Sequence, residues 1–363
     1  MKWSWKLGAF AGIPVYIHAT FLLILGWVAL SSWLQLGTAA GVLGGLAFIL
    51  ALFASVVLHE FGHALTARRY GIKTSDITLY PIGGVARLTH MPDKPIQELW
   101  VALAGPAVNL VIAGLLFVGL SLTTGILPLA DLTPVSGSFF ERLMIVNLVL
   151  VGFNMLPAFP MDGGRVLRAL LAMRMEYTRA TQTAANIGQG MAILFGFLGL
   201  FSNPFLLFIA FFVWIGASQE NRMVQLKSAL EGIPVTRAMV TNYEVLHSED
   251  ELDRAVELIL AGSQHDFPVV DSGRVVGVLT RDDLLKSLGN PSASKRVVAD
   301  IMRYDFAMTD SFEMLESAFA RLQECDCRTL PVTHEGSLVG LLTMDNVGEF
   351  ISIQSARPAM ARS

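Results

Sequence analysis

Five consecutive residues, His59-Glu60-Phe61-Gly62-His63, close an apolar run from Leu43 to Leu58 that holds one serine and no charge. Ionisable groups are costly in lipid, so a cluster at the end of such a run marks a functional site. The pattern H-E-x-x-H has a mechanical meaning. On a helix, positions i and i+4 share a face, so two imidazoles can grip one Zn²⁺. The glutamate between them then stands ready as general base. The competing reading, two histidines satisfied by neighbouring helices, is disfavoured by the membrane setting.

Catalytic zinc sites usually have three protein ligands and one open position. The best third candidate lies in Asn154-Met155-Leu156-Pro157-Ala158-Phe159-Pro160-Met161-Asp162-Gly163-Gly164-Arg165. Its two prolines and two glycines exclude a regular helix, so the backbone must unwind. Irregular backbone at membrane depth is tolerated only where it is buried in protein or lines a wet cavity. Asp162 is the carboxylate such a break presents. Its alternative role is to cap a cytosolic helix running to about Ala172. His90 and Asp93 are the next candidates for the third ligand.

The elements that position these residues follow from the apolar runs. The chain has 363 residues, 53% hydrophobic and 15% charged, against roughly 25% charged in soluble domains. Long apolar runs crowd into the first 220 or so residues, and most acidic residues lie beyond them. This predicts a polytopic membrane domain followed by a soluble one. Six spans fit, with cores at Val15–Leu34, Leu43–Thr66, Ile96–Leu122, Phe139–Leu156, Ile187–Phe201 and Phe205–Ala217. With the N-terminus in the cytosol, every Lys and Arg up to Lys227 except Arg142 falls on the cytosolic side. Both termini are therefore expected there, with His59, His63 and Asp162 at matching cytosolic depth. No cleavable signal peptide is evident. The segment 72–89, broken by Pro81 and Gly83-Gly84, reads as short extended strands with a looped middle. Following the metal helix, it is a candidate substrate-binding edge at Gly83 and Gly84, with an ordinary surface hairpin as the alternative. The net charge of −4 gives no support for nucleic-acid binding. The two cysteines, Cys325 and Cys327, read as cytosolic thiols rather than a disulfide framework.

These motifs together resemble the site-2 protease family of intramembrane zinc metalloproteases. The matching residues are His59, Glu60 and His63, then Asn154, Pro157, Asp162 and Gly163. Ala104-Gly105-Pro106-Ala107-Val108-Asn109 and Pro81-Ile82-Gly83-Gly84-Val85 also look like family segments. The resemblance implies one Zn²⁺ per chain on His59, His63 and Asp162, Glu60 as base, and Asn154 as an assisting catalytic residue. His18, in a family-like context, is read as a polar packing or gate residue of the first span.

The soluble half repeats itself. Residues 235–288 and 298–351 align without gaps at an offset of 63, as in Pro268-Val269 with Pro331-Val332 and Leu279-Thr280 with Leu342-Thr343. A two-copy repeat suggests a pseudo-symmetric pair. It resembles a tandem of cystathionine-β-synthase-type (CBS) domains, which implies an adenine nucleotide (ATP, ADP or AMP) in a cleft. Thr280, Asp283 and Thr343 are the implied contacts. The second copy has Asn346 where the first has Asp283, so one competent site is expected, with a ligand-free dimerisation module as the alternative.

The expected architecture is a polytopic α-helical membrane protein of about six spans with a short membrane-associated β segment, followed by a soluble α/β CBS pair. Its parts are a protease domain 1–222, a linker 223–234, CBS domains 235–291 and 292–352, and a tail 353–363. The implied function is cleavage of a single-span membrane protein, for example an anti-sigma factor or another membrane-tethered regulator, by a homodimer joined through its CBS domains. The rivals are a catalytically silent nucleotide sensor or scaffold in the membrane and, more weakly, a zinc transporter.

Overall fold

A computed structural model describes residues 3–81, 83–92, 94–123, 137–289, 296–325 and 328–356. Its contacts divide the chain into two compact units, Met1–Arg222 and Met223–Ser363.

The first unit opens with strands, not with a span. β1 (Ser4–Phe10) and β2 (Ile13–His18) form a hairpin. Its two turn residues, Ala11 and Gly12, both have positive φ (51° and 80°), the geometry that matches strand twist in a two-residue turn. The expected first span from Val15 is thus corrected: α1 begins only at Phe21 and ends at Leu36. Short apolar runs do not distinguish strand from helix by hydropathy, and the β-branched Ile13, Val15 and Ile17 favour the strand. His18 is corrected with it. It ends β2, its Nδ1 lies 2.8 Å from Thr20 Oγ1, and its ring lies 5.1 Å from that of Tyr80.

α2 (Ala39–Arg69) is capped by Thr38, whose hydroxyl accepts from the Gly41 amide. β3 (Thr74–Tyr80) and β4 (Gly83–Leu88) follow as a hairpin, so the Pro- and Gly-broken segment is extended as expected. The sheet order is β1-β2-β3-β4, with β2 parallel to β3, which leaves β4 as an edge. Ile13, Val15 and Ile77 pack against Ala64 and Phe61 of α2, fixing the sheet beside the H-E-x-x-H turn.

Four more helices matter to the site: α3 (Pro95–Thr123), α4 (Phe139–Asn154), α5 (Asp162–Ala172) and α6 (Tyr177–Phe201). α7 runs from Phe205 to Leu230. Among the described residues, three helices are long and apolar enough to cross a membrane, namely α2, α3 and α6, and α1 is a shorter apolar helix. The large apolar side chains exposed on α1 and α6, such as Leu23, Trp27, Leu200 and Phe201, suit a lipid surface better than water.

The second unit holds the repeat. α8 (Leu252–Ala261), β5 (Phe267–Asp271), β6 (Arg274–Leu279) and α9 (Arg281–Leu288) form one copy. β7 (Thr309–Asp310), α10 (Leu315–Glu324), β8 (Thr329–His334), β9 (Ser337–Thr343) and α11 (Met344–Ala356) form the other. The copies exchange backbone bonds symmetrically. Val240 pairs with Leu341 and Arg303 with Val278, and both pairs are related by the offset of 63. Cys325 is disulfide-bonded, a correction to the thiol expected from compartment alone; Cys327 lies outside the described residues.

Candidate active site

His59 and His63 lie one helical turn apart on α2, both buried, with their Nε2 atoms 3.0 Å apart. Asp162, the first residue of α5, places Oδ2 3.2 Å from each of these nitrogens. Among the described residues this is the one group of three or more His, Cys, Asp or Glu side chains close enough to share a metal ion. His90 is exposed beside Thr89, and Asp93 lies outside the described residues.

The polarity of the three groups tests whether a metal fits. His63 Nδ1 lies 2.7 Å from the Val101 carbonyl, and His59 Nδ1 lies 2.5 Å from Asn109 Oδ1. Both partners are acceptors, so each ring carries its proton on Nδ1. In the neutral rings both Nε2 atoms are then lone pairs. Two such lone pairs and a carboxylate oxygen converge within 3.2 Å of one another, an arrangement that a cation satisfies. The spacing suits it too, since tetrahedral ligands about 2.0–2.1 Å from zinc are about 3.3 Å from each other.

The approach of α3 to this cluster depends on Gly105. A Cβ there would stand 2.2 Å from His63 Nε2 and 2.6 Å from His59 Nε2. Glu60 turns toward the sheet. A Cβ on Gly84 would stand 2.8 Å from Glu60 Cγ, so the bare strand β4 and the glutamate share one space. Gly83 pairs with Tyr80 and Gly84 with Leu79, which puts both on the edge strand.

Asp162 is held by the loop before it and the helix after it. Ala158, Phe159 and Met161 are buried, and α5 starts against them. A Cβ on Gly163 would meet the Leu156 carbonyl oxygen at 2.2 Å. Six residues further along α5, Arg168 is fully buried. Its Nε donates to Glu98 Oε1 of α3 at 2.7 Å and its Nη1 to Glu220 Oε1 of α7 at 2.5 Å. Asn154 ends α4 half-buried, and no hydrogen bond among the described residues joins it to His59, His63 or Asp162. Asn109, Asn147 and Arg168 were not assigned roles from sequence. Polar residues inside apolar helices were the available signal.

The chain matches Peptidase family M50 over residues 47–135 and 127–197, and the CBS domain over residues 235–290 and 298–352. It is 32% identical over 354 residues to Zinc metalloprotease MJ0392 of Methanocaldococcus jannaschii, covering 97% of each chain. The chain belongs to Peptidase family M50. It is a site-2-type zinc metalloprotease with a tandem of CBS domains. Among solved structures, the site-2 protease of M. jannaschii shares 37% identity over 61% of this chain and 96% of its own, with a TM-score of 0.46. CBSX2 in complex with AMP shares 30% identity over 35% of this chain and 100% of its own, with a TM-score of 0.32.

In the CBS pair of this M50 peptidase, Thr280 caps α9, and its hydroxyl bonds Asp283 Oδ2 at 2.7 Å. Thr343 and Asn346 repeat that turn, at 3.2 Å. The copies differ opposite it. Arg303 Nε donates to Asp283 Oδ2 at 2.5 Å, whereas the position equivalent to Arg303 is Val240. The Arg303 guanidinium holds the Asp283 carboxyl below the usual carboxylate range, against the opposing effect of burial.

Proposed function

We propose that this chain is an intramembrane zinc-dependent endopeptidase that cleaves transmembrane protein substrates and is regulated by adenine nucleotide at its CBS pair. The observation that carries the reading is the convergence of two imidazole Nε2 atoms and one carboxylate oxygen toward the cytosolic end expected of an apolar helix. His59, His63 and Asp162 hold the zinc ion. When bound, zinc supplies Lewis acidity at the carbonyl under attack and acidifies the attacking water.

The chain's own residues do the rest. Glu60 takes the proton of the attacking water and returns it to the leaving amine. A substrate helix keeps its peptide groups in internal hydrogen bonds, so it must unwind before attack. The β4 edge at Gly83 and Gly84 receives the unwound segment by strand addition. Asn154 orients the substrate or its carbonyl oxygen. Six spans with both termini in the cytosol suit the distribution of Lys and Arg. Thr280, Asp283 and Thr343 contact the nucleotide, and the CBS pair joins two chains in a homodimer.

Glu60→Gln tests the core of this reading. Purified protein should keep about one zinc per chain, yet cleavage of a membrane substrate should fall on the order of a hundredfold or more. His59→Ala should lose both metal and cleavage. Full activity in Glu60→Gln would remove the assigned base, and a zinc content near zero in the unaltered protein would favour a silent sensor.

A further inference from the structure

The two histidines are held at Nδ1 in different ways. For His63 the acceptor is a backbone carbonyl, that of Val101, which no side-chain substitution removes. For His59 it is the side chain of Asn109. Asn109 is fully buried, and its Nδ2 donates to Asn147 Oδ1 at 2.8 Å. Asn147 is fully buried as well. Its Nδ2 donates to the Leu143 carbonyl at 2.8 Å and to Ser55 Oγ at 3.4 Å.

This chain of bonds has a direction. The Leu143 carbonyl can only accept, so it fixes the amide nitrogen of Asn147 on its own side. Asn147 then offers its oxygen to Asn109, and Asn109 offers its oxygen to His59. An acceptor at that end requires a ring proton on Nδ1, and in the neutral ring this leaves Nε2 unprotonated toward His63 and Asp162. A primary amide buried among apolar helices is costly unless bonded, and here both amides are bonded head to tail. The same relay ties together α2, α3 and α4.

We propose that Asn109, backed by Asn147, is a positioning residue that locks His59 in its Nδ1–H tautomer and thereby sets the zinc affinity of the site. This rests on the reading that His59, His63 and Asp162 hold zinc. Outer partners of metal-bound histidines typically govern affinity by 10–100-fold.

The test uses purified full-length protein, with zinc affinity measured by chelator competition and ligand geometry by the absorption spectrum of the Co²⁺-loaded form. Asn109→Leu should bind zinc roughly 10–100-fold more weakly, whereas Asn109→Asp, which keeps an oxygen opposite Nδ1 and loses only the donor to Asn147 Oδ1, should weaken binding clearly less than Asn109→Leu does. The Co²⁺ bands should shift in Asn109→Leu alone. Asn109→Leu binding zinc as tightly as the unaltered protein would overturn the proposal. So would equal weakening in both variants, which would reduce Asn109 to packing. Should Asn109→Leu fail to fold, Asn147→Ala takes its place: weakening by about threefold or more supports the relay, and unchanged affinity overturns it. Unaltered protein that bound no zinc would instead bring down the metal site itself.

Discussion

Gly105 and His63 stand so close that a Cβ on the glycine would lie 2.2 Å from the imidazole Nε2. That distance is nearer to a metal–ligand bond than to a van der Waals contact. Neither histidine can swing aside freely, because both Nδ1 atoms are hydrogen-bonded. Gly105→Ala should therefore cost zinc affinity, on the order of tenfold or more, although one methyl group on a helix is otherwise favourable. Chelator competition measures it. Unchanged affinity would show that α3 can retreat without disturbing the site.

Asp162 supplies the third donor from the first turn of α5, just after the unwound stretch, so both its charge and its backbone setting matter. Asp162→Asn keeps the shape but loses the charge, and zinc binding should weaken. Gly163→Val should impair cleavage by pushing α5 off the Leu156 carbonyl, which lies 2.2 Å from the position of a Cβ. Elemental analysis and a cleavage assay read the two effects. Normal zinc content and rate in Asp162→Asn would move the third ligand elsewhere.

The site was legible where its signals are local. H-E-x-x-H states its own geometry through helical spacing, and Pro157 and Pro160 announce the unwound backbone before Asp162, whereas Gly163 and Gly164 lie inside α5. The partners of these residues were not legible. Asn109 and Asn147 lie 38 residues apart, and which amide faces which histidine depends on how α3 and α4 pack. The first sheet was hidden for another reason. Ile13–His18 is as apolar as a helix start, and its parallel partner, β3, is some sixty residues away in sequence. In the soluble half the repeat itself was plain. The cross-pairing of Arg303 with Val278 is a tertiary fact that exposes the difference between Arg303 and Val240.

Arg168 is the fully buried cation that joins α5 to α3 and α7 through Glu98 and Glu220. Arg168→Met would leave Glu98, only 2% exposed, without its partner. Breaking a buried pair from one side typically costs about 3–5 kcal/mol. Thermal unfolding in detergent should fall accordingly. Glu220→Gln should cost less, because its side chain is 28% exposed and Arg168 retains Glu98. Equal melting of Arg168→Met and the unaltered protein would deny the clamp a structural role.

Asp283 shows how the first CBS copy differs from the second. Its carboxyl is held below the usual range by Arg303, so its folded pKa lies under the unfolded value of about 3.9. The sign follows: the pair's contribution to stability is fully present above about pH 3.9 and is lost as pH falls through the folded value. Asp283→Asn should therefore lower the melting temperature of the full chain at neutral pH. The difference from the unaltered protein should shrink below about pH 4. A gap that stayed constant down to strongly acidic pH would show that the ion pair is not its source. The same residue distinguishes the two copies. Asp283→Ala should weaken adenine-nucleotide binding more than Asn346→Ala, because at the position proposed to bond a ribose hydroxyl only the first copy has a carboxylate with a guanidinium beside it. Calorimetry on the full chain, with binding expected in about the micromolar to millimolar range, decides between them. Equal losses in the two variants would mean that the copies bind alike, and no heat with any adenine nucleotide would leave the pair as a dimerisation module.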